Sequence, residues 1–370
     1  MDHPLPDDPV SAEAAPPRRR GAGTATAEEP YRRLRSRVDA AFAARGLSRK
    51  GGGAMAFKVV LVLLQWGFWY GVTLSLGTAH FALALAASLP LAASLVNILL
   101  GVMHDGSHGA GSEHRFVNRL LQSTLVAAGV SAVSWHYEHV VQHHANTNVL
   151  GHDSDLETGG LLLRFHAGQP WRPIHRYQHW YAWPLYGLIS FKWTWFEDFD
   201  DVLANRYGLP PRQRLVHLVE VLAAKVSQVS LFFVVPALAW GWPKAAAFYV
   251  VQLYVVGVLM ATVFVLAHVS GVQAMPESPQ EAPRDWAIFQ VATTANYATG
   301  NRLLTWLIGG LNYQVEHHLF PSVSYRHYPW IRQIVRRWAD EQGVPYHEFP
   351  TMAAALRAHF RHLASLGRAS

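Results

Sequence analysis

Residues 59–108 read VVLVLLQWGFWYGVTLSLGTAHFALALAASLPLAASLVNILLGVMHDGSH. From Val59 to Met103 there is no Asp, Glu, Lys or Arg. That run is more than twice the ~20 residues one bilayer crossing needs, and too long for a single core helix. It divides near Gly77-Thr78-Ala79-His80, which predicts crossings at 57–76 and 81–102 joined by a short tip. A second run, Val226 to Ala267, carries one charge, Lys244. It divides at Trp240-Gly241-Trp242-Pro243-Lys244, predicting crossings at 222–240 and 245–267. The expectation is an all-α integral membrane protein: four transmembrane helices in two hairpins, with a cytoplasmic helical cap holding a di-metal site.

Working outward, the 370 residues are 51% hydrophobic and only 15% charged, which argues against a pair of soluble domains. There is no cysteine, so disulfides, thiolate metal sites, iron–sulfur clusters and c-type haem attachment are excluded. Five segments follow. Residues 1–54 are an N-terminus without apolar period, read as disordered to about residue 30, then a basic amphipathic helix. Residues 55–102 are hairpin 1, 103–221 a cytoplasmic segment, 222–267 hairpin 2, and 268–370 a second cytoplasmic segment with the C-terminal tail. In the helix over 31–47, Tyr31, Leu34, Val38 and Phe42 share one face and Arg32, Arg33, Arg35 and Arg37 the other. It suits either an anionic membrane surface or the protein's own cap. Both hairpin tips are nearly free of cations while Lys and Arg gather elsewhere, which places both termini in the cytoplasm. Pro90 and Pro236 fall inside predicted crossings, where membrane helices tolerate them. Two more apolar stretches, Phe116–Val133 and Leu303–Leu311, are read as non-spanning. The second is too short, and counting the first would put histidines on opposite sides of the membrane.

Those histidines, 21 in all, carry the chemistry. His104-Asp105-Gly106-Ser107-His108 is an H-x-x-x-H just past the second crossing; His139-Val140-Val141-Gln142-His143-His144 is an H-x-x-x-H-H. His268 ends the fourth crossing, and Gln314-Val315-Glu316-His317-His318 is a Q-x-x-H-H. Residues four apart on a helix share a face, so each box can aim two imidazoles at one centre. Eight imidazoles exceed what one metal accepts, and neutral nitrogen suits Fe, Zn, Cu or Ni alike, so two first-row metals of open identity are implied. Asp105, Glu138, Asp153, Asp155 and Glu316 are candidate partners for the outer ring N–H groups. His3, His80, His114, His166, His175, His179, His217, His327, His347, His359 and His362 lack box spacing and read as surface, interfacial or core residues, while His136 and His152 stand close to boxes. Trp135, Trp171, Trp180, Trp183, Trp193 and Trp195 crowd the middle segment, as interfacial anchors or walls of an acyl tunnel.

At these boxes, and above all at Gln314-Val315-Glu316-His317-His318-Leu319-Phe320-Pro321, the sequence resembles the membrane fatty acid desaturases, within them the front-end, carboxyl-side branch. The resemblance covers about residues 55–345. It implies two Fe ions that use O2 as cosubstrate to place a cis double bond in a fatty acyl substrate, as acyl-CoA or acyl-lipid. Carried over, the ligands would be His104, His108, His139, His143, His144, His268, His317 and His318, with Gln314 where a further ligand would otherwise be. Many eukaryotic relatives in that branch carry a fused cytochrome b5 domain with an HPGG motif, which this sequence lacks. An external electron donor, ferredoxin or cytochrome b5, is therefore expected, docking on Arg32–Arg37 or on Arg332, Arg336 and Arg337. The expected setting is a multi-pass protein of a bacterial cell membrane, in contact with membrane lipid and with no nucleic acid partner. The rivals are a histidine-box hydroxylase or ketolase and, from another class, a membrane metal transporter. The second is disfavoured because the crossings look almost free of ionisable residues.

Overall fold

The computed structural model describes residues 29–156 and 160–368. The expected disorder of residues 1–30 therefore falls, but for two residues, outside the described range. Helix α1 (Glu29–Arg45) buries Leu34, Val38 and Phe42. They pack with Ile331, Val335 and Trp338 of the helix Tyr328–Gln342, and Arg37 pairs with Glu341 at 2.7 Å. The apolar stripe is covered by the protein's own cap, and the arginines stay exposed on the far face.

Helices α2 (Gly52–Gly77) and α3 (Phe81–Ser107) form the first hairpin, 26 and 27 residues long. Helix α3 runs past the predicted end of the crossing at 102. α3 continues through His104, because its last turns widen into a π turn at Leu99–Met103, where the His104 N–H bonds the Leu99 carbonyl. Helices α4 (Arg115–Ala128) and α5 (Ala132–Asn146) are bent by 115° at the break between them. This elbow breaks the apolar stretch Phe116–Val133, so that it does not continue as one straight helix. Gly129 takes φ +75° there, and a Cβ on it would lie 2.9 Å from Gln228. Helix α6 (Gln178–Tyr186) and the helical stretch 189–204, α7, lead back to the bundle.

Helices α8 (Pro211–Trp240) and α9 (Trp242–His268) form the second hairpin, 30 and 27 residues long. α8 begins eleven residues before the predicted Leu222. The sequence prediction stopped at the charges of 212–225, but those groups serve the elbow and α7. Glu220 accepts the Ala132 N–H at 2.6 Å, and Arg214 donates to the Val202 carbonyl at 2.8 Å. The Lys225 ammonium is buried against the Asp198 carboxylate and the Gly129 carbonyl. The crossings are also more polar than expected, since Lys58, Asn97, Lys225, Gln228 and Gln252 are all buried in them. The two hairpin tips meet: the Trp240 indole donates to Leu74 at 2.9 Å and packs on Gly77, while Lys244 donates to the Thr78 carbonyl at 2.9 Å. His104 and His268, one helix length away, therefore emerge at the same opposite end of the bundle. Apolar side chains on the outer faces, such as Leu238 at 84% exposure, are left for lipid.

The remaining chain caps that end. Helix α10 (Trp286–Thr293) is followed by β1 (Asn296–Tyr297), α11 (Arg302–Leu307), α12 (Gln314–Leu319), α13 (Tyr328–Gln342), β2 (Glu348–Phe349) and α14 (Met352–Leu366). The two strands pair in parallel, Asn296 with Glu348 and Tyr297 with Phe349. Leu303–Leu311 makes only a short helix and then a Gly309-Gly310 turn. A Cβ on Gly309, at φ +61°, would lie 2.0 Å from the Leu100 carbonyl, so glycine lets this turn lie directly on the π turn of α3.

Candidate metal centre

All four histidine groups meet at this end of the bundle. His104 approaches His139 with Nε2 atoms 3.1 Å apart, and His144 approaches His317 at 3.2 Å. His104, His108, His139 and His317 can each offer a ring nitrogen within 4.8 Å of the others; so can His143, His268 and His318, and so can His144, His317 and His318. Seven of the eight rings are at most 4% exposed. The eighth, His108, caps α3.

The second box needs more than α-helical spacing. In an α-helix the fifth residue on turns away by about 140°, so His139 and His144 would face different directions. Here residues His136–His143 form a π-helix, closed by an i→i+5 bond from the His144 N–H to the His139 carbonyl. Rings four and five residues on then both return to the face of His139, with centroids 5.3 Å away for His143 and 5.1 Å for His144.

Contacts behind the rings set their direction. His139 Nδ1–H donates to Asp155 at 2.9 Å, His143 Nδ1–H to Asp153 at 2.8 Å, and His318 Nδ1–H to the Gln290 side chain at 2.8 Å. Gln290 also donates to the His144 carbonyl at 2.8 Å. Neither Gln290 nor Asn148 was legible in the sequence, since neither stands at a box. Asn148 donates to the carbonyls of His268, Ala274 and Thr293 and joins three segments behind the cluster. Asp105, Glu138 and Glu316 do not meet the rings expected of them. Each is adjacent in sequence to a box histidine (Asp105 after His104, Glu138 before His139, Glu316 before His317), and one residue turns about 100° around a helix. Asp105 accepts from Ser324 at 3.1 Å beside Lys58; Glu316 accepts from Asn296 and Tyr346, each at 2.8 Å. Glu138 joins Asp201 and Glu197 instead; burial and those carboxylates push its carboxyl up to about 10, so it is protonated. Gln314 does lie in the cluster, its Nε2 3.0 Å from His268 and 3.2 Å from His318. Among the described residues, no ligand grouping includes His136 or His152. His359, read from sequence as a bystander, is a buried core residue joining Tyr186, at 2.7 Å, to the Val269 carbonyl.

The electrostatics favour a cation at this point. Burial, followed by the neighbouring imidazoles, holds His317 and His318 well below the usual histidine range, so both rings are neutral. Burial pushes His143 the same way, but the Asp153 and Asp155 charges outweigh it and raise the ring to about 9. A neutral imidazole has one donor and one acceptor nitrogen. Where a neutral ring commits its Nδ1–H outward, as His318 does to Gln290, Nε2 is a bare lone pair. Among the described residues the Nε2 atoms of His108 and His143 have no hydrogen-bond partner, and a metal arriving at His143 would displace the proton that the two aspartates hold there. Several lone pairs facing one another in a dry interior repel unless a cation lies between them. The donor set therefore fits a pair of metal ions.

A narrow cavity of about 30 Å3 adjoins the cluster inside the bundle. Its near wall holds Met103, next to His104, and Trp135, which stacks on His139 at 4.4 Å. Its far wall holds Leu95, Phe232, Gln252 and Leu253. Of the tryptophans noted in the sequence, Trp135 and Trp193 line it.

Residues 78–350 match the fatty acid desaturase family. The sn-1 linoleoyl-lipid 6-desaturase of Synechocystis sp. is 35% identical over 353 residues, covering 93% of this chain and 98% of that protein. The sn-1 linoleoyl-lipid 6-desaturase of Arthrospira platensis is 32% identical, covering 89% of this chain and 90% of that protein. An acyl-lipid (8-3)-desaturase of Physcomitrium patens is 34% identical over 72% of this chain and 57% of its own. The histidine-rich helical bundle and these similarities lead to one assignment: the chain belongs to the fatty acid desaturase family, membrane oxidoreductases of lipid metabolism.

Proposed function

We propose that this desaturase acts on acyl chains held in membrane lipid, with O2 and two bound iron ions, and adds a cis double bond on the carboxyl side of unsaturation already present. The observation that carries this reading is the dry cluster of eight imidazoles built over one end of an apolar cavity. The linoleoyl-lipid 6-desaturases matched over nearly their whole length support the substrate class and the side of attack. His104, His108, His139 and His317 would hold one iron; His143, His268 and His318 would hold the other, with His144 beside both. Turning the Gln314 amide over would present Oε1 to the second ion in place of Nε2. Bound there, the iron pair supplies the O2-dependent oxidation that breaks two unactivated C–H bonds and leaves a cis double bond and water.

The protein's own residues do the rest. Asp153, Asp155 and Gln290 fix the ring tautomers and aim the Nε2 lone pairs inward. Met103 and Met260 line the cavity with flexible side chains that can yield to an incoming chain, and Trp135 holds the acyl methylenes against the cluster. The charge distribution supports a cytoplasmic site with both termini on that side. Electrons then arrive from a separate acidic carrier on the exposed arginines of the packed α1–α13 pair, Arg33, Arg35, Arg336 and Arg337.

The test is expression in a host that makes linoleoyl lipids but has no activity of this kind, followed by mass-spectrometric location of new double bonds. A new cis bond between the carboxyl group and the first existing one is expected. A hydroxylated chain as the main product would refute the proposal.

A further inference from the structure

The apolar cavity contains polar atoms that no described residue satisfies. Gln252 is 2% exposed, and neither its Oε1 nor its Nε2 has a hydrogen-bond partner; Ser190 Oγ on the same wall also has none. The neighbouring Gln228, by contrast, accepts from the Tyr249 hydroxyl at 2.9 Å. A buried amide without partners destabilises the fold, and a leucine here would fill the space without that penalty. The amide stands at the far end of the cavity. Met260 and Gln252 both line it from α9, eight residues or about 12 Å apart along the helix axis. A chain whose reacting carbons lie at Met103 and Trp135 therefore places its methyl-side half beside Gln252.

We propose that Gln252 selects acyl chains already unsaturated on the methyl side of the reacting carbons, its amide N–H donating to the π face of the existing cis double bond. A saturated chain offers that N–H nothing and leaves it as it stands. A double bond offers an electron-rich face, and its cis bend fits an oblique path from the cluster to α9. The contact is weak, so it tunes preference and does not decide turnover. The inference rests on the acyl-lipid reading above and assigns the cavity's far wall its role in specificity.

The experiment compares wild type and Gln252→Met, which keeps length and removes the donor. Both are given linoleoyl, oleoyl and stearoyl lipids in competition, and new double bonds are quantified per chain type. The preference for linoleoyl over stearoyl lipid should fall roughly five-fold in the variant. An unchanged preference overturns the proposal, including the case in which all three lipids gain equally because the amide only held a water molecule. Should the variant fail to accumulate, wild type decides alone. Linoleoyl lipid in nanodiscs should raise its thermal stability more than stearoyl lipid, and an equal effect overturns the proposal. If wild type desaturates none of these lipids, the acyl-lipid reading itself has failed, an outcome distinct from desaturation without preference.

Discussion

Lys225→Met tests the elbow that delivers the second histidine box. The Lys225 and Asp198 side chains are 6% and 3% exposed, and the ammonium also reaches the carbonyls of Gly129 and Trp193. Asp198 accepts the Ser131 N–H at 3.2 Å, so both charges converge on the turn between α4 and α5. Removing the cation strands a buried carboxylate and two carbonyls. Loss of one partner from such a pair destabilises by about 3–5 kcal/mol, whereas removing both charges together is often close to neutral. The double variant Lys225→Met with Asp198→Asn should therefore recover most of what the single variant loses. Thermal unfolding in detergent, read together with retained metal, measures both. A single variant as stable as wild type, or a double variant as impaired as the single, would refute the argument that this pair holds the elbow.

Three further outcomes follow from the geometry. Gly309→Ala should lower stability and metal retention together, because a left-handed backbone and a Cβ 2.0 Å from the Leu100 carbonyl both oppose it; unchanged thermal unfolding would contradict this. Met260→Trp should fill the cavity and abolish desaturation while bound metal stays at the wild-type level, as product analysis beside metal content would show. Chelated protein should lose stability as pH falls below about 6.5, the ordinary histidine value. His317 and His318 stay neutral in the folded state, so the unfolded chain binds more protons there and acid favours it. Melting curves that do not move between pH 7.5 and 5.5 would count against neutral rings.

Much of this organisation was legible in the sequence, for physical reasons. Uncharged runs such as Val59–Met103 have one stable setting, and strings of imidazoles at helical spacing have few uses. What escaped reading depends on local departures from the α-helix or on contacts between distant segments. The π turns at Leu99–Met103 and His136–His143 extend α3 and turn His144 inward, and no propensity announces them. Charges at 212–225 hid the first turns of α8, because a sequence cannot say that Lys225 meets Asp198. Gln290, Asn148 and Gln252 are single polar residues without a motif, and their roles follow only from what surrounds them. The contrast between Asp153 and Asp105 is instructive: both are acidic residues near a box, yet only the one that reaches the cluster from a separate loop meets a ring.

The central claim is that the eight buried histidines hold two irons. Metal analysis of protein purified without oxygen, on wild type and on the pair His139→Ala and His318→Ala, addresses it most directly. The account predicts two irons per chain in wild type and, in each variant, loss of iron without loss of the folded protein. Active wild-type protein with no iron, or both variants retaining the full two, would contradict it.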